Sequence, residues 1–157
     1  MISTETVAEL EARRLLYILG VRERSDKLVR ELVLDDGAPF VPLVMKKRAK
    51  EIDYEAKTVM LAGRRYIVCR NRQEAEKDAA DRASIVAALE RQLAKGDKAL
   101  VGNTGYRRYL KTISQDHFAI DPDKVEEEKR FDGIFVLRTN TDLNPLEAML
   151  CYRGLSR

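Results

Sequence analysis

Behind a Ser3 or Thr4 cap, Val7 and Leu10 fall on one face and predict a helix to about Arg13. The unbroken run "LLYILGV" (Leu15 to Val21) predicts a fully buried strand. Ser25 or Asp26 opens a second helix in which Leu28, Val29, Leu32 and Val33 keep helical spacing, and Asp35-Asp36-Gly37 ends it. Helix, buried strand, helix is the order of an α/β sheet. Between about Asp36 and Pro42 the style changes. In "EIDYEAKTVMLAGRRYIVCRNR" two strand-like runs, Ile52 to Leu61 and Arg65 to Arg70, meet at Ala62-Gly63, which predicts a hairpin with basic residues along its exposed face. Gln73 to Leu93 holds the longest helical pattern, with Ala75, Ala79, Ala83, Val86 and Leu93 on one stripe and Lys95-Gly96 as its stop. Short strands are predicted near Ala99 to Val101, His117 to Ile120 and Ile134 to Thr139. Asn144 then stands as a cap before Pro145, a proline suited to a first helical turn, and Leu146, Met149, Leu150 and Arg153 share a face. No internal repeat or low-complexity segment interrupts the pattern.

A chain of 157 residues suits one domain, or one body with a subdomain. No run approaches the roughly 20 apolar residues that a bilayer requires, and "MISTETVAEL" lacks the basic-then-apolar order of a signal peptide. The expectation is a cytoplasmic protein without a membrane partner. Cys69 and Cys151, far apart, are expected to be buried small hydrophobes rather than a disulfide.

The net charge of +3 hides an uneven distribution. From Lys46 to Arg72, nine cations (Lys46, Lys47, Arg48, Lys50, Lys57, Arg64, Arg65, Arg70, Arg72) face only Glu51, Asp53 and Glu55, a stretch able to track phosphates. From Asp116 to Asp132 the balance reverses to acidic, which would repel nucleic acid.

Candidate chemistry is sparse. His117 is the sole histidine, which excludes a histidine-built metal site, and its bland reading is a surface or half-buried side chain. "GDKALVGNTGYRRYLK" lacks the spacing of a phosphate-binding loop. Its Tyr106, Arg107, Arg108, Tyr109 and Lys111 mix cations with aromatic faces, suiting either nucleic-acid backbone contact or a turn with solvated cations and core tyrosines. Asp35, Asp36, Asp132 and Asp142 with Glu147 could in principle hold two metal ions, but each reads better as turn or cap chemistry.

Taken together, "ISTETVAELEARRLLYILGVRERSDKLVRE", "RRYIVCRNRQEAEKDAADR", "NTGYRRYLK" and "DGIFVLRTNTDLNPLEAMLCYRGLSR" resemble the second half of insertion-sequence DDE transposases of the IS-four type. The resemblance covers nearly the whole chain and is strongest at its two ends. It implies a fold between α/β and α+β: a partial RNase H-like core from residues 1–36 and 133–157, with 37–132 as an inserted section built of a basic hairpin and a helix. It further implies catalytic carboxylates outside this sequence, the second aspartate before Met1 and the glutamate just beyond Arg157. Tyr152 matches the family's tyrosine on the last helix, while Leu155 stands where the family has an arginine.

DDE chemistry needs three carboxylates to hold two Mg²⁺ ions. The resemblance therefore implies a truncated transposase portion, inactive alone and needing no cofactor of its own, that keeps affinity for duplex DNA, including transposon ends. The residues expected to contact DNA are Lys46, Lys47, Arg48, Lys50, Arg64, Arg65, Arg70, Arg72, Arg107, Arg108 and Lys111. The alternative is an interaction protein with no nucleic-acid role. Strands left without their sheet neighbours would favour self-association.

Overall fold

The computed structural model describes residues 3–21, 27–34, 37–47, 50–96, 107–115 and 117–154, and the side chains of all of these except 28, 32, 44–47 and 50–52. Two compact units make up the chain, residues 1–72 with 133–157 and residues 73–132.

Unit 1 begins with helix α1 (Thr4–Ala12), capped by Ser3, whose hydroxyl accepts from the Thr6 N–H. Val7 is its buried residue, and Arg14, at φ 55°, turns the chain out of the helix. Strand β1 (Ile18–Val21) is shorter than predicted and not fully buried. Leu15 and Leu16 precede it at 48% and 75% exposure, because β1 is the last strand on its side of the sheet. Helix α2 (Lys27–Leu34) buries Val29 and Val33. The predicted stop at Asp35-Asp36 lies outside the described residues.

Three strands follow: β2 (Val41–Lys47), β3 (Lys50–Leu61) and β4 (Arg64–Asn71). The β3–β4 turn is at Ala62-Gly63, and both residues have positive φ, 50° and 74°, the backbone that matches strand twist in a two-residue hairpin. After unit 2 the chain returns as β7 (Ile134–Thr139), and α5 (Pro145–Tyr152) closes the described fold. Asn144 and Glu147 form a reciprocal capping box at the start of α5, each side chain accepting from the other's backbone N–H.

The five strands of unit 1 lie in the order β1-β7-β4-β3-β2, and every neighbouring pair is antiparallel. Among the described residues the class is therefore α+β, the second of the two classes between which the sequence places the fold. The segment before β1 is fastened to the end of β7. Asn140 accepts from the Tyr17 N–H and donates to the Leu15 carbonyl, both at 2.8 Å, while the Thr139 hydroxyl donates to the Tyr17 carbonyl. Alternation along β4 sends Ile67 and Cys69 to the face where they cluster with Ala56, Leu137 and Ala148 of α5. Tyr66 and Val68 on the other face are buried as well, so the middle of β4 is covered on both sides.

Unit 2 is inserted between the adjacent strands β4 and β7. It holds α3 (Arg72–Lys95, of which Arg72 belongs to unit 1), a hairpin of β5 (Leu110–Ser114) and β6 (His117–Ile120), and α4 (Pro122–Lys129). Its core is Leu89, Tyr109 and Leu110, with Ile85, Leu93, Phe118, Ile120 and Val125 packed around them. Of the predicted stripe on α3, Ala83 is exposed, and the buried positions are Arg82 and Leu89. The strand predicted near Ala99 to Val101 lies outside the described residues.

Candidate nucleic-acid interface

β2 and β3 stay paired from Val41 opposite Ala56 to Lys47 opposite Lys50, whereas β4 ends at Asn71, opposite Tyr54. Residues 50–53 of β3 therefore pair with β2 alone. A two-stranded ribbon runs four residue pairs past the sheet, about 14 Å at the rise of an extended strand. Lys46, Lys47 and Lys50 occupy its last register positions. Arg48, between them in sequence, lies outside the described residues.

The other predicted cations of unit 1 are already engaged. The Arg64 guanidinium donates to both carboxylate oxygens of Glu11, at 3.1 and 3.3 Å, and the Tyr17 hydroxyl donates to the same carboxylate at 2.7 Å. These hydrogen bonds, Arg64's first, hold the Glu11 carboxyl below its ordinary value of 4.5. Burial, then the bond to Glu11, pushes the Tyr17 hydroxyl up to about 12. Arg65 donates to the Thr141 carbonyl. Arg70 pairs with Glu55 at 2.6 Å and stacks on the Phe40 ring at 4.2 Å, while Lys57, on the same ring at 5.2 Å, is only 4% exposed. Arg72 faces Asp53 at 3.8 Å with both side chains in solvent. The expectation that basic residues line an exposed face of the β3–β4 hairpin is thus corrected: Lys57 is buried, and Arg64, Arg65 and Arg70 are half-buried against partners.

Arg107, Arg108 and Lys111 belong to unit 2, where all three are exposed, and Tyr109 beside them is a core residue. Tyr106 is outside the described residues. Apart from Arg48, the predicted contacts thus fall into three groups: lysines at the last register positions of the ribbon, a set held by local partners, and a group in the second unit.

Tyr152, half exposed, lies over β1: a Cβ at Gly20 would fall 2.3 Å from its hydroxyl oxygen. With Leu16, Tyr17, Ile18, Thr141 and Cys151 it lines an open cavity of about 400 Å³. Cys151 is exposed rather than buried, while Cys69 is buried, which pushes its thiol up to about 12.

Among the described residues no group of three or more His, Cys, Asp or Glu is placed to hold a metal ion. Asp132 is gripped by both terminal nitrogens of Arg82, at 2.5 and 2.8 Å, and Glu147 belongs to the capping box. Held in this way, these two carboxylates do not fit a two-Mg²⁺ centre.

Two further arginines stand out. Arg138 on β7 is 9% exposed, its Nε has no hydrogen-bond partner, and its charge helps lower the pKa of Glu11 and Tyr17. Arg153, at the end of α5, lies 5.5 Å over the Tyr54 ring and 5.6 Å over that of Phe135, two rings that meet edge to face. The helical face shared with Met149 was the sequence signal that could have drawn attention to it. No family model, no curated protein and no solved structure matches the chain.

Proposed function

We propose that this protein binds duplex DNA through phosphate contacts made by the β2–β3 ribbon, as the non-catalytic portion of a DDE transposase-type protein. The observation that carries the reading is the ribbon itself. It runs past the sheet and ends in Lys46, Lys47 and Lys50, a form and charge suited to lying along a groove or a phosphate row. The resemblance to transposases supports the same partner. In that reading β1 and β7, which pair with each other, belong to the RNase H-like core, and the strands between them begin the inserted section.

The test is a titration of the intact chain against a fluorescent duplex at increasing salt. The reading expects log affinity to fall linearly with log salt, by about 0.9 per phosphate contacted. Affinity indifferent to salt, or no binding at low salt, would remove it.

A second reading, association through protein surfaces, is favoured by exposed Leu15, Leu16 and Tyr152 beside edge strand β1. It predicts a sedimentation coefficient that rises with concentration without DNA. A constant monomer value rules out self-association.

A further inference from the structure

The ribbon has two faces, and the register shows that they differ in charge. Residues directly opposite each other in an antiparallel pair share a face, and faces alternate along each strand. Lys47 and Lys50 are opposite each other and fall on the same face as the Leu43–Tyr54 pair, with Met45 and Ile52 between them. No carboxylate holds a register position on that face of the ribbon. On the other face, Lys46 stands opposite Glu51, Arg72 is paired with Asp53, and Arg70 with Glu55.

The Lys47–Lys50 face is also the one covered at its base by α5. Arg153 lies there over Tyr54 and Phe135, exposed, and no carboxylate among the described residues pairs with it. The two rings fix its guanidinium on the sheet by cation–π attraction without neutralising its charge. Tyr54 marks the point where the ribbon leaves β4, and Lys50 lies four residues farther along, about 14 Å. At a rise of about 3.4 Å per nucleotide step, Arg153 and the lysine pair would meet phosphates several steps apart on one duplex.

We propose that the Lys47–Lys50–Tyr54 face of the ribbon and Arg153 form one continuous surface for duplex phosphates, and that the Lys46 face does not touch DNA. The inference rests on the DNA-binding reading above and adds to it a face and a residue that the charge pattern did not nominate.

The experiment compares single substitutions of equal charge loss, Lys46→Gln, Lys47→Gln, Lys50→Gln and Arg153→Gln, in the intact chain. Each is titrated with the same duplex over the same salt series. The expected result is a slope reduced by about 0.9 for Lys47→Gln, Lys50→Gln and Arg153→Gln, and unchanged for Lys46→Gln. Arg153→Lys, which keeps the charge, is expected to restore the slope and guards against a packing effect at Tyr54. An unchanged slope in Arg153→Gln beside reduced slopes in the two lysine variants overturns the extended surface and leaves the ribbon reading standing. An effect of Lys46→Gln equal to that of Lys47→Gln overturns the choice of face. If the unsubstituted chain binds no duplex, or no substitution alters the slope, the DNA-binding reading falls and this inference with it.

Discussion

β3 takes part in two hairpins, and the two treat positive charge in opposite ways. Where it pairs with β4, the strands are covered on both faces around Ile67, Val68 and Cys69, and the cations are absorbed: Arg64 by Glu11, Arg70 by Glu55 and Phe40, Lys57 by burial. Where it pairs with β2 beyond Asn71, the sheet no longer accompanies it, and the cations at the register positions nearest the turn outnumber the carboxylates. The stretch from Lys46 to Arg72 reads as one basic block in the sequence. In the fold its second half is held by local partners, and its first half occupies the end of a two-stranded ribbon beyond β4. Net charge along a chain reports a surface only after the partners of each cation are known.

The comparison can be broken most directly in the core of the covered hairpin. Ile67→Ala opens a cavity beneath α5 and should cost about 2–5 kcal/mol, read as a fall in the denaturant midpoint. A loss under about 1 kcal/mol would mean that the β3–β4 hairpin is not the centre of unit 1. Arg70→Ala removes a half-exposed ion pair and a stacked cation, together worth about 1–2 kcal/mol of stability, and should leave the salt dependence of duplex binding as it was.

Acid should act on the Glu11 contact. Its folded-state pKa lies below the unfolded value of 4.5, so its stabilisation is present above that pH and disappears as pH falls through the lowered pKa. Glu11→Gln should flatten that part of the stability-against-pH curve. The hydroxyl of Tyr17 adds an alkaline limit, since its raised pKa removes stability between about 10 and about 12. The smallest effect on folding belongs to the ribbon: Lys47→Gln with Lys50→Gln should change stability by no more than about 0.5 kcal/mol. A larger change in the melting curve would place these lysines among the structural cations.

What the sequence made legible was mostly local. The turn at Ala62-Gly63, the Ser3 cap and the Asn144-Pro145 helix start follow from short-range chemistry and stand where the pattern sets them. β2 is absent from the pattern reading because Pro42 interrupts it. A proline is tolerated in a strand at the sheet edge, where part of the ladder is missing, and β2 is such a strand. α4 escaped notice because "PDKVEEEK" offers one apolar residue, Val125, against a run of charges. The direction of the sheet could not be read, because β4 and β7 become antiparallel neighbours across an inserted unit of sixty residues, from Gln73 to Asp132. The candidate site was half legible. Charge density marked the ribbon, but recognising that Arg64, Arg70 and Arg72 are already engaged required Glu11, Phe40 and Asp53, which reach them through the fold. Arg153 gains its place from aromatic rings on two other strands.

The most direct test of the central claim sets the two hairpins against each other in one assay. Duplex affinity is measured from low to moderate salt for the unsubstituted chain, for Lys47→Gln with Lys50→Gln, and for Arg64→Gln with Arg70→Gln, at a temperature where all three are folded. The account predicts that the ribbon pair lowers the slope of log affinity against log salt by about 1.8, two contacts at about 0.9 each, and that the covered pair leaves it unchanged. Equal losses from both pairs, or a loss only from Arg64→Gln with Arg70→Gln, would contradict it.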